Sequence, residues 1–216
     1  MPTKMRLWYE GASYHVTSRG NNKINIFKET EDFEKYLSFI YEAIEYYNHC
    51  NYEIICYCLM TNHVHLMIKT GERQLGDFVG RINSKYTKYF NKKYECSGHL
   101  FQGRYFSDIV KDNTQIIETS RYIHLNPVKA KIVNKPSDYK WSSYNIITGK
   151  TYIEMSIDNN IKNKMDELNL ELMDKLNLEL ELDIINPSII LNYFNEKNKY
   201  NSYINYVERK TPHFNE

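Results

Sequence analysis

His63-Val64-His65 places two imidazoles two residues apart in a segment whose side chains alternate in character. In a strand such residues project from one face with Cα atoms ~6.6 Å apart, so His63 and His65 share a face while Val64, Leu66 and Ile68 take the other. Two imidazoles at that distance can share a cation. The same spacing also suits exposed or hydrogen-bonded strand histidines, and spacing alone leaves both readings open. Tyr122 and Asn126 form a second pair. Four apart on a helix, a phenol and an amide lie on one side about one turn of ~5.4 Å from each other, where a nucleophile and a metal ligand could share a site. With 20 tyrosines in the chain, however, most are expected to pack rather than react.

A third set is basic and aromatic. Arg81, Lys85, Lys88 and Lys92 recur at helical spacing and could track phosphates. Arg19, Asn21, Gln102 and Arg104 lie in turns and loops, with Tyr105 placed to stack on a base. A lysine-rich helix face is equally suited to plain solvation.

Elements must position these groups. The alternation from Ala12 to Ser18 predicts a strand, closed by the turn Arg19-Gly20-Asn21-Asn22. Phe33, Tyr36, Leu37, Ile40, Ile44 and Tyr47 follow a helical period and predict a helix over Glu31 to Tyr47. Tyr52 to Leu59 and His63 to Lys69 predict a hairpin about Thr61-Asn62. A second helix is expected from about Gln74 to Tyr94, then a polar loop from Cys96 to Gly103 and a strand from Tyr105 to Val110. A third helix is expected from Thr114 to near Asn126, where Pro127 disfavours helical geometry in the residue before it. The order βαββαβα is compatible with an α+β, ferredoxin-like antiparallel sheet with helices on one face. Trp141 and Tyr144 are expected to close the core.

Beyond this point the character changes. Asp166 to Leu172 nearly repeats at Asp174 to Leu180, and two copies cannot make a solenoid. The expected division is a domain over residues 1–145 and an acidic, partly repetitive appendage over 146–216, helical or disordered, with a small amphipathic piece around Ile189 to Val207. Charge follows this division: residues 1–150 carry 21 Lys and Arg against 15 Asp and Glu, and 151–216 carry 7 against 12, leaving +6 and −5. A basic body with an acidic tail suits a polyanion-binding domain. Cys50, Cys56, Cys58 and Cys96 contain no CxxC pair, so buried thiols are expected; a soft-metal role for Cys56 and Cys58 is the weaker reading. No apolar run approaches the ~20 residues that span a bilayer, and the polar start lacks a signal core, so a cytoplasmic protein is expected.

Four ordered blocks, LWYEGASYHVTSRGNN, CYCLMTNHVHLMI, GHLFQGRY and SRYIHLNPVKA, resemble the single-tyrosine HUH transposases, particularly the REP-associated tyrosine transposase branch. The resemblance covers roughly residues 3–145. It implies a ferredoxin-like fold, Mg²⁺ or Mn²⁺ as cofactor, and cutting of single-stranded DNA beside hairpins through a 5′-phosphotyrosine. Carried over by motif, it implies Tyr122 as nucleophile and His63, His65 and Asn126 as metal ligands. His124 departs in detail, since some relatives have a second aromatic there. The chemistry is coherent: a divalent cation stabilises charge on the phosphoryl oxygens, and a covalent phosphotyrosine conserves bond energy for rejoining. Two other classes remain open: a domesticated DNA- or RNA-binding module without strand transfer, and a metal-dependent hydrolase without a covalent step. Whether one chain or a homodimer forms the site is not set by these residues.

Overall fold

Two periods of hydrophobicity, 2 in the strands and 3.6 in the helices, sort the side chains into layers. In a computed structural model, which describes residues 8–149, 184–194 and 197–209, the strands are β1 (Ser13–Arg19), β2 (Glu53–Met60), β3 (His63–Lys69) and β4 (Phe106–Val110). The principal helices are α1 (Thr30–Tyr46), α2 (Leu75–Lys93) and α3 (Asn113–His124). Short helices α4 (Asn126–Lys129) and α5 (Tyr144–Ile147) follow, then α6 (Ser188–Leu191) and α7 (Lys199–Glu208). The sheet order is β2-β3-β1-β4 with every neighbour antiparallel, the ferredoxin-like arrangement. Element boundaries fall within one or two residues of those expected from the sequence.

Strand parity divides the sheet. Tyr14 and Val16 of β1 and Val64, Leu66 and Ile68 of β3 are buried and share the face that α1 and α2 cover. Asn83 of α2 ties these layers together, accepting from Tyr36 Oη at 3.0 Å and donating to Ser18 Oγ at 2.8 Å. α3 takes the opposite face, where His15, Thr17, His63 and His65 project. Large side chains such as Tyr36, Phe78 and Tyr86 are fully buried, each worth on the order of 2 kcal/mol of apolar burial. Trp141 stacks on Phe33 with centroids 4.5 Å apart, and Tyr144 is fully buried, so both do close the core.

The outer edge of β2 is covered rather than left open for pairing. Leu59 N–H donates to Trp141 O, Ser143 N–H donates to Tyr57 O, and Ile185 bridges Ile54 in parallel. Residues 184–194 and 197–209 therefore join the same core: Ile190, Tyr203 and Val207 are fully buried. The near-repeat at 166–180 lies outside the described residues. Cys50, Cys56 and Cys58 are buried thiols and Cys96 is an exposed one. Burial pushes the Cys58 thiol up, as for a packing residue. Among the described residues no helix is long and apolar enough to cross a membrane.

One buried carboxylate fixes the start of α1. Asp32 closes a capping box with Glu29, accepts from the backbone N–H of Lys28 at 2.8 Å, and also accepts from Tyr94 Oη, Tyr89 Oη and Lys93 Nζ. Burial would raise its carboxyl, but the bonds from Tyr94, Lys28, Lys93 and Glu29 together outweigh it and hold the group below its ordinary value. Asp32→Ala should lower the unfolding free energy by about 3 kcal/mol in a urea titration, because it strands several buried donors; a loss below ~1 kcal/mol would contradict this. The carboxylate's contribution is present above its unfolded value near ~4 and disappears as pH falls through the lower folded value.

Candidate functional site

The register of β1 against β3 assembles the site. Thr17 faces His65 and Arg19 faces His63, with His15 two residues further along the same side of β1. These side chains, with Gln102, Arg104, Phe106, Asp108, Tyr122 and Asn126, line one pocket of about 630 Å³. Two segments bring in the rest. Gly20 ends β1 in a turn where a Cβ would collide with Ile24 O, and beyond it the loop 96–105 is drawn in by Gln102 N–H to Arg19 O at 2.8 Å and Asn21 N–H to Leu100 O at 2.8 Å. α3 starts on the Asp112 side chain, which accepts from Gln115 N–H at 2.9 Å. It delivers Tyr122 to the sheet.

The imidazole partners determine which ring nitrogens remain. His63 Nδ1 lies 2.6 Å from Asn62 Oδ1, an acceptor, so Nδ1 carries the proton and Nε2 keeps its lone pair. His65 Nδ1 lies 2.9 Å from His15 Nε2 and 3.2 Å from Thr17 Oγ1, so β1 engages this nitrogen, and among the described residues no hydrogen bond involves its Nε2. The two rings stand nearly perpendicular, 4.8 Å apart. Burial, with Arg19 nearby, pushes His63 down to about 4; burial, with His63 and His15, pushes His65 to about 2. Both are neutral at physiological pH, as a metal-binding imidazole must be. His15 is also lowered by burial, with Asp108 opposing.

Asn126 follows α3, and its amide nitrogen donates to Tyr122 O at 2.9 Å and Ile123 O at 3.4 Å. That leaves Oδ1 as the atom that could ligate. Two imidazole nitrogens and one amide oxygen fit a divalent cation that retains open positions. Among the described residues no group of three His, Cys, Asp or Glu is arranged to hold a metal ion; His63 and His65 with Asn126 offer only two such residues and an amide.

Tyr122 is 43% exposed, so its phenol is reachable from solvent. Its ring meets His65 edge-on at 5.7 Å and His15 at 5.8 Å, and Lys129 Nζ sits 4.4 Å from its centroid. Burial, with Arg121, lowers the Lys129 ammonium.

The expected phosphate and base contacts divide. Arg19, Gln102 and Arg104 surround the histidines. Arg104 also lines a larger cleft of about 1300 Å³ with Lys88 and Tyr105. Arg81 and Lys85 are not brought to the histidines: they belong to the layer on the opposite face, where the Arg81 guanidinium stacks 3.5 Å over Tyr46 and Lys85 pairs with Glu42 of α1. A helical stripe of cations is also what an interhelical seam uses. Lys88 and Lys92 of that stripe are exposed, and Asn21 contributes backbone bonding to the loop. His15, Thr17, Phe106, Asp108 and Lys129 were not singled out by the sequence. Parity in β1 relates His15 and Thr17 to each other, but only the register relates them to His65.

Comparison with known proteins identifies the family. The model of the family described as Transposase IS200 like matches residues 9–126, more than half of the chain. A REP-associated tyrosine transposase of Haemophilus influenzae is 26% identical over 108 residues, 44% of this chain and 61% of that relative, so the chain spans less than two thirds of the relative's length. A solved REP-associated tyrosine transposase bound to a REP hairpin aligns at TM-score 0.57 and 16% identity, over 76% of this chain and 96% of that one; at this identity the likeness concerns the fold.

Proposed function

This chain belongs to the IS200-like transposase family, and we propose that it nicks and rejoins single-stranded DNA by attack of Tyr122 on a phosphodiester. The observation that carries the proposal is the convergence, in one pocket of one chain, of an exposed phenol with two neutral imidazoles on one strand face. One protomer thus holds every proposed catalytic group.

In the first step the Tyr122 oxygen bonds to phosphorus and the bond from phosphorus to the 3′-oxygen breaks. The phenolic proton is lost, the departing oxygen gains one, and the strand is left with a 3′-hydroxyl and a 5′-phosphotyrosine. A 3′-hydroxyl of another strand reverses the step, so joining needs no nucleotide cofactor. A Mg²⁺ or Mn²⁺ ion bound to His63, His65 and Asn126 would supply Lewis-acid stabilisation of the phosphoryl oxygens. His15 and Thr17 hold the His65 ring in orientation, and such partners of a ligand typically matter about 10–100-fold in metal affinity. Lys129 steadies the Tyr122 ring and favours negative charge on it. Arg19, Gln102 and Arg104 contact phosphates, with Phe106, 60% exposed, as a stacking surface. Lys88 and Tyr105 extend the path along the cleft. By analogy with the hairpin-bound fold relative, the substrate is single-stranded DNA next to a hairpin.

The direct test is incubation of the full chain with Mn²⁺ and single-stranded hairpin DNA taken from the sequence flanking its gene, followed by mass spectrometry. A phosphotyrosine peptide containing Tyr122 is expected. Tight binding without any adduct would favour a binding module, and cleavage without an adduct would favour a hydrolase.

A further inference from the structure

Tyr122 is held on the sheet by contacts on the other side of its helix, and these come from the far end of the chain. His124 lies two residues, or about 200°, around α3 from Tyr122. It is completely buried. Its Nδ1 lies 2.7 Å from Tyr203 Oη of α7 and its Nε2 3.0 Å from Ser143 Oγ, which accepts from Tyr57 N–H of β2 at 2.9 Å. Tyr203 Oη donates to Ser120 Oγ at 3.1 Å, and Ser120 Oγ donates to Ile117 O at 2.8 Å.

Two directional assignments satisfy the imidazole and both of its partners, and both keep the same contacts. In both, Tyr57 N–H donates to Ser143 Oγ. In one the Ser143 hydrogen goes to His124 Nε2, and His124 Nδ1–H donates to Tyr203 Oη, whose hydrogen goes to Ser120 Oγ; in the other Ser143 Oγ donates to Tyr57 O at 3.2 Å, His124 Nε2–H donates to Ser143 Oγ and Tyr203 Oη donates to His124 Nδ1. A second clamp lies one turn away. Arg121 donates from Nε to Tyr206 O at 3.0 Å and from Nη2 to Arg209 O at 2.8 Å, so its cation caps the C-terminal carbonyls of α7.

We propose that α7 is a brace that fixes the rotation of α3, with His124, Tyr203 and Arg121 as positioning residues for the nucleophile. The proposal rests on Tyr122 being that nucleophile. The geometry sets its scale. A roll of α3 by roughly 10° moves a ring ~6 Å from the helix axis by about 1 Å, and a 1 Å misplacement of a reacting group can cost ~10²-fold in rate. Ser143 and Tyr57 tie His124 to β2, next to the strand that carries His63 and His65. Rotation of the phenol is thereby referenced to the sheet holding the imidazoles.

Tyr203→Phe keeps the buried ring and removes the hydroxyl shared by His124 and Ser120. In the full chain with Mn²⁺ and single-stranded hairpin DNA, it should slow adduct formation by about 10–100-fold with DNA affinity unchanged. Deuterium uptake over 113–124 should rise while uptake over 63–69 stays as in wild type. Unchanged uptake over 113–124 overturns the brace, whether or not the wild type forms an adduct. Raised uptake with an undiminished adduct rate overturns the positioning role. A wild type that forms no adduct refutes the nucleophile reading, and the uptake comparison still decides the brace. Ser143→Ala, which removes the hydroxyl at the opposite end of the network, is the second variant should Tyr203→Phe fail to fold, with the same two readouts deciding.

Discussion

Tyr122→Phe is expected to abolish the covalent protein–DNA product and to lower strand cleavage by at least ~10⁴-fold, the scale of losing a nucleophile. Little else should change. The side chain is 43% exposed and its hydroxyl makes no hydrogen bond among the described residues, so stability should shift by less than ~0.5 kcal/mol. The ring remains to meet His15, His65 and Lys129, so affinity for a single-stranded hairpin oligonucleotide should be retained. Denaturing electrophoresis of a labelled oligonucleotide reads the first quantity and fluorescence anisotropy the second. An adduct of wild-type yield would remove Tyr122 from the chemistry. Cleavage that persists without an adduct would instead point to a hydrolytic route on the same histidines.

Removing the imidazoles should separate two roles that look alike in sequence. His63→Ala and His65→Ala should each lower Mn²⁺-dependent cleavage by about 10³-fold, as expected for loss of a ligand that holds a Lewis acid. Their effects on folding should differ. His63 is partly exposed and its ring, among the described residues, bonds only to the neighbouring Asn62 side chain, so its loss should be nearly neutral in a thermal melt. His65 is 5% exposed and serves both His15 and Thr17, so its removal leaves polar atoms at the sheet without their partner and should cost about 1–3 kcal/mol. Isothermal titration with Mn²⁺ gives the matching binding measurement. If both variants keep full metal-dependent activity, the proposed ligand set is wrong; if His63→Ala destabilises as much as His65→Ala, the assigned difference in environment is wrong.

The brace on α3 joins these expectations. A nucleophile and a metal-binding pair on different elements work together only if the elements are fixed to each other, and here that link runs through β2, Ser143 and His124. It also accounts for a histidine in the SRYIHLNP block whose role the family resemblance leaves open. Its imidazole is buried, pushed down to about 3 by desolvation, and faces away from the Tyr122 phenol.

The strands and helices, the common face of His63 and His65, and the one-turn spacing of Tyr122 and Asn126 are legible in the residues alone. Each is a local property. The alternation of a strand and the period of a helix are written within a few residues, and Pro127 marks the end of α3 without reference to the rest of the chain. Tertiary structure decided what those groups meet. The β1–β3 register, set by burial of Tyr14, Val16, Leu66 and Ile68 on the other face, brings His15 and Thr17 to His65. The periodicity of α2 shows a cationic stripe but not that Arg81 and Lys85 are spent on α1, because only packing selects a neighbour. Tyr203 is 79 residues from His124, and no local pattern connects them. A contact at that separation exists only when the complete core, including the C-terminal helices, has formed, and it is this contact that fixes the side of the helix from which Tyr122 projects.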